Sequence, residues 1–195
     1  MAILTAAGPS PVAHPRRCPS RAATWLALLL VLLGSGPVRA ADEYQIKAAF
    51  LYNFLKYVTW PTNAFATADS PYVIAVLGKD PFGDRLDDLA RQTLKGRPLR
   101  IVRFDSTSAL VPCHLLFVPD LERKKWEQLL KKLGSTAILT VGESERFALS
   151  GGMINFYTEN NRVRFEINVD AARRAELTVD SAMLNLAKLV RDPRP

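Results

Sequence analysis

Cysteine and histidine are nearly missing from this chain, with two of each in 195 residues, at Cys18 and Cys113 and at His14 and His114. One of each falls in the first forty residues, which read as a leader. The remainder holds a single cysteine and cannot close an intrachain disulfide, so packing must supply its stability. One cysteine and one histidine are also too few for a metal cage built from those ligands. The first forty residues themselves lack acid, carrying four arginines and neither Asp nor Glu. Arg16, Arg17 and Arg21 precede the apolar run AATWLALLLVLL from Ala22 to Leu33, then Gly34-Ser35-Gly36-Pro37 and Val38-Arg39-Ala40. A basic stretch, a short apolar stretch and small residues before a cut predict a secretory signal peptide over residues 1–40, cleaved between Ala40 and Ala41. The apolar run falls short of the ~20 residues that span a bilayer and ends in helix breakers. Cys18 lies ahead of that run, where no lipoprotein cysteine belongs, and it displaces the apolar residues a twin-arginine signal needs after Arg16-Arg17.

Removing the leader lowers the formal charge from +7 to +3, so the basic balance is largely a property of the leader. An exported chain of that charge is not expected to bind nucleic acid. Residues 41–195 suffice for one domain with one sizeable core. Asp42 and Gln45 form a candidate capping box for a helix running through IKAAFLYNFLKYV to Trp60-Pro61, where proline ends it. Gln45, Asn53 and Lys56 cluster within about 80° on this helix, Lys47 stands nearly opposite, and apolar residues cover most of the rest. Such a helix needs burial on two sides: it is either a central core helix or one that packs inward with one face and against a subunit or partner with the other.

From Tyr72 onward short apolar runs alternate with helical patterns, which predicts an α/β domain. Strands are expected at Tyr72 to Leu77, Leu99 to Phe104, Cys113 to Val118 and Ala137 to Val141. Helices are expected around Leu86, Leu89 and Ala90, and from Leu121 to Leu133. These units imply a largely parallel sheet with flanking helices. Met153 to Thr158 and Arg162 to Ile167, separated by Glu159-Asn160-Asn161, then predict an antiparallel hairpin with Ile154, Phe156, Val163, Phe165 and Ile167 facing inward and Arg164 and Glu166 outward. A last helix is expected over Ser181 to Val190, burying Met183, Leu184, Leu186, Ala187 and Val190. Thr62 to Ser70 reads as the one linker.

No catalytic motif closes. Gly78 and Gly83 have the glycine spacing of a phosphate-binding loop, but Asp84-Arg85 stand where Lys and Ser or Thr belong. Gly142-Glu143-Ser144-Glu145-Arg146 begins like a nucleophile elbow and lacks its closing glycine. Cys113 and His114 are neighbours on a predicted strand, so their side chains face opposite ways and form no dyad. Cys113 is expected to pack as a small core residue. Arg123, Lys124, Lys125, Lys131 and Lys132 form a basic helix face, read as solvated, with lipid-headgroup contact as the alternative. The reading is therefore of a protein without enzymatic activity, cofactor or metal. Two other readings stay open: a small-molecule site at the carboxyl ends of the parallel strands near Gly78 to Gly83, and a hydrolase using scattered Asp, Glu or Ser residues.

The stretches IKAAFLYNFLKYVTWP, VIAVLGKDPFG, CHLLFVP, AILTVGESERFALSGGMINFY and VRFEINVDAARRAELTVDSAMLNLAKLV together resemble the YfiR family of bacterial periplasmic proteins along nearly all of the predicted mature chain. The resemblance implies an α/β repressor that binds the periplasmic sensor domain of an inner-membrane diguanylate cyclase and holds down cyclic di-GMP output. Some relatives carry two disulfides. By the same resemblance Ala75 occupies the place of a cysteine that would pair with Cys113, and SERFALSGGMINF has no cysteine at all. The expected product is a periplasmic regulator, probed most directly at the first helix: Tyr52 and Lys56, beside Trp60, are the candidate homodimer or partner contact.

Overall fold

A computed structural model of the chain describes residues 40–106 and 112–192, side chains from Glu43 onward in the first helix, all within one compact unit. The predicted signal peptide lies outside the described residues except for Ala40. The first helix, α1, covers Ala40–Tyr57. It begins ahead of Asp42, so this residue lies within the helix and not at the N-cap position expected for it. The helix gives way at Val58–Thr59 to a two-residue strand, β1, two residues earlier than the proline would enforce.

The elements that follow are β2 (Tyr72–Leu77), α2 (Asp84–Ala90), β3 (Thr93–Leu94), β4 (Arg97–Phe104), β5 (Leu115–Val118), α3 (Arg123–Leu133) and β6 (Leu139–Gly142). After them come β7 (Ile154–Glu159), β8 (Arg162–Asn168), α4 (Val169–Arg174), β9 (Thr178–Val179), α5 (Ser181–Leu184) and β10 (Lys188–Val190). Eight strands form one sheet in the order β10-β8-β7-β6-β5-β2-β4-β3, while β1 and β9 pair separately. Only β7 with β8 and β3 with β4 run antiparallel in the large sheet. The fold is thus α/β, with a mostly parallel sheet, flanking helices and a late antiparallel hairpin. The Thr62 to Ser70 segment holds a short 3-10 turn at Thr62–Ala64.

Both faces of the sheet are covered, which is why its central strands read as unbroken apolar runs rather than as alternation. Ile74, Val76, Leu115, Phe117, Val141 and Ile154 face α1, joining Leu51, Phe54 and Leu55 in the larger core. Their neighbours Ala75, Leu77, Leu116 and Val118 face α3, joining Trp126, Leu129 and Leu133. Phe147 seals this second core with its ring 5.3 Å from Trp126. Gly142 and Gly152 flank that ring so closely that a Cβ on either would lie 2.6 or 2.3 Å from it, and glycine at these two positions is what admits the phenylalanine.

The hairpin has the expected register, with Ile154 opposite Ile167 and Phe156 opposite Phe165. Glu166 points away from Phe165 as expected, but it is buried there, bonded to Asn155 Nδ2 at 3.4 Å and paired with Lys188 at 3.4 Å. One expectation beyond the hairpin fails. The last helix is not ten residues long. It ends at Leu184, and Lys188–Val190 instead forms an edge strand parallel to β8, leaving Leu186 73% and Leu189 55% exposed. Pairing with the open backbone edge of β8 outweighs the helical spacing of apolar residues in this segment.

Candidate functional site

α1 is fastened to the sheet by charge as well as by packing. Lys47 lies nearly out of solvent and reaches Glu143, just past β6, at 2.7 Å and Glu43, one turn back on its own helix, at 2.7 Å. Glu143 also accepts the Tyr44 hydroxyl at 3.2 Å and the Asp120 backbone N–H at 3.3 Å, and Ser144 Oγ donates to Asp120 at 3.1 Å. Burial by itself would lower the Lys47 pKa, but the bonds to Glu143 and Glu43 outweigh it and hold the ammonium above its ordinary value. Burial, then the charge of Glu143, raises the Tyr44 phenol. This cluster explains the lone lysine on the otherwise apolar side of the helix. It stands at the carboxyl ends of β5 and β6, where an active site would also be placed; Tyr44, Lys47 and Glu143 tie α1 down, and Ser144 bonds to Asp120 beside them.

The other side of α1 is open. Ile46, Phe50, Asn53 and Tyr57 form one stripe at helical spacing, with Ile46 45% and Tyr57 37% exposed. The stripe continues onto the carboxyl-terminal turn, where Phe50, Asn53, Tyr57, Met183 and Leu186 line a shallow groove of ≈ 230 Å³. Of the two readings of α1, the central core helix is therefore not met: one side packs on the sheet, and a side carrying Ile46 and Tyr57 faces outward. That surface was legible in the sequence only as an excess of apolar residues on the helix. Its extension over Leu186 was not, because the segment read as buried helix.

The three residues singled out in α1 and after it part company. Lys56 is exposed, with its ammonium 5.4 Å from the centre of the Tyr57 ring, and Tyr52 is half-buried at the margin of the core. Trp60 is buried, its ring 5.7 Å from Tyr72 and 6.1 Å from His114. Its indole N–H has no hydrogen-bond partner among the described residues.

Cys113 and His114 likewise diverge. Cys113 is buried in the α3-side core, and burial pushes its thiol up to about 12. His114 turns the other way and uses both ring nitrogens on backbone: Nδ1 accepts the Val73 N–H at 3.0 Å, and Nε2 lies 3.2 Å from the Ala64 carbonyl. With Nδ1 as acceptor, Nε2 is the protonated nitrogen and donates to Ala64. Phe65 stacks on the imidazole at 4.3 Å. Burial, reinforced by the charge of Arg97, lowers the His114 pKa against the opposing bond to Ala64. The Gly78 to Gly83 loop is tied down internally, Asp80 accepting the Phe82 N–H at 2.7 Å and Arg103 Nε at 2.6 Å. Among the described residues no group of three or more His, Cys, Asp or Glu side chains is placed to hold a metal ion. No described helix is long and apolar enough to cross a membrane.

A YfiR/HmsC-like family model matches residues 44–188, from the tyrosine of the α1 cluster to the first residue of the edge strand. The chain belongs to this family.

Proposed function

We propose that this YfiR/HmsC-like protein is a periplasmic regulator without catalytic activity of its own, which acts as a homodimer, binds the sensor region of an inner-membrane diguanylate cyclase and represses cyclic di-GMP signalling. The family supports the regulatory role. The observation that carries the binding role is the apolar stripe of Ile46, Phe50 and Tyr57, continued by Leu186, on a helix locked to the sheet from behind. Exposed contiguous apolar surface rimmed by polar residues marks protein contact. Lys56, with its ammonium 5.4 Å from the centre of the Tyr57 ring, adjoins this stripe, whereas Tyr52 packs against the core and Trp60 is buried against Tyr72 and His114. Repression follows if the regulator binds the inactive arrangement of the cyclase more tightly than the active one, since only differential affinity shifts an equilibrium.

Deleting the gene should raise cyclic di-GMP and surface attachment. Tyr57→Glu combined with Leu186→Asp should weaken binding to the cyclase's periplasmic domain about tenfold or more, the effect of removing ~1.4 kcal/mol at a contact, with an unchanged circular dichroism spectrum. Unaltered cyclic di-GMP in the deletion strain, together with no binding by the purified protein, would reject the reading.

A further inference from the structure

Strand order reverses at β2. The chain leaves β2 for β4 on one side and later returns to lay β5 on the other. In open α/β sheets the loops at such a reversal diverge and leave a crevice outside the carboxyl ends of the strands, which is where ligands bind. On the α1 face Phe82 fills this position, fully buried with its ring 4.7 Å from Phe117. On the α3 face the described residues leave a cavity of ≈ 480 Å³, within the size range of small-molecule sites. Leu77, Leu121 and Leu129 give it an apolar floor. Lys125, Gln128 and Lys132, spaced i, i+3 and i+7 on α3, form one wall. At Gly78, with φ 71°, nothing lies within 4 Å of where a Cβ would stand, so a ligand there meets bare backbone. Asp105 occupies the rim.

We propose that this crevice binds a small organic monoanion, its anionic group between Lys125 and Lys132 and its apolar body on the three leucines. Two lysines on one wall select negative charge, and Asp105 disfavours a second anionic group. The present partner of Lys125 is Glu122 at 3.5 Å, a pair exposed at both ends and so weak enough to exchange for a ligand. The site is separate from the α1 surface and does not depend on partner binding.

The purified protein, labelled with nitrogen-15, would be titrated with 4-phenylbutyrate while backbone amide shifts are followed. Saturable shifts centred on Gly78, Leu121 and Gln128, in the millimolar range expected of so small a probe, are the expected result. Lys125→Gln with Lys132→Gln should weaken binding about tenfold, as loss of charge-assisted contacts does. Lys124→Gln with Lys131→Gln, on the other flank of α3 and of equal charge change, should leave it intact. The neutral 4-phenylbutyramide and the dianion phenylsuccinate should bind more weakly than the monoanion. Absence of saturable shifts at these residues, equal binding of the amide, or equal weakening by the two lysine pairs would overturn the proposal.

Discussion

His114 joins the Thr62 to Ser70 segment to β2 through two backbone bonds, and only the neutral ring makes both. A protonated Nδ1 carries a hydrogen and cannot accept the Val73 N–H, so acid breaks one clamp and leaves a cation among Phe65, Tyr72 and Trp60. The folded pKa lies below the unfolded value of about 6.5. The stabilisation is therefore complete above the unfolded pKa and is lost as pH falls through the folded one. Urea midpoints should decline as pH is lowered from about 6.5 toward 5, and His114→Gln should flatten that decline; an unchanged slope would refute the clamp. Lys47 gives a second test at the same scale. With both partners of the Lys47–Glu143 pair shielded from solvent, Lys47→Met should cost roughly 3–5 kcal/mol, because it strands a buried carboxylate. Adding Glu143→Leu should recover much of that loss in a denaturation series, and further destabilisation by the second change would contradict the account.

Among elements, the hairpin tests the packing of α1. Phe165 meets Phe50 at 5.3 Å and Phe54 at 5.1 Å, so Phe165→Ala should destabilise the protein by roughly 3–5 kcal/mol. An unaltered denaturation midpoint would count against that packing. This hairpin was legible because period-two alternation and a polar turn coincide in Met153 to Ile167, and Tyr72 to Leu77 because six apolar residues stand between turn signals. The carboxyl-terminal segment was not legible. Met183, Leu184 and Ala187 recur at helical spacing, and nothing local announces that residue 188 will lie beside Glu166. What decides it is long-range: β8 has an edge to fill, and Asp192 is held by Asn168 Nδ2 at 2.8 Å and by Arg174. The candidate surface was half legible for the same reason. Its α1 part is a local excess of apolar residues, whereas the contribution of Leu186 and the burial of Trp60 follow from contacts between distant segments.

At the scale of the whole molecule, α1 starts at Ala40, so the proposed cut between Ala40 and Ala41 would take one residue from it and spare the Lys47 cluster. Intact mass of the periplasmic protein should correspond to a chain beginning at Ala41, and a full-length species recovered in the membrane fraction would exclude processing there. The fastening of α1 has a kinetic side as well. Tyr44 and Glu143 are 99 residues apart, and β1 finds its partner in β9, close to the end of the described chain. Contacts of such long sequence separation form late, since the loop between them must close first. A polypeptide threaded amino end first through a secretion channel would deliver this helix well before the strands it needs. With such a topology the fold would close only after most of the chain had emerged.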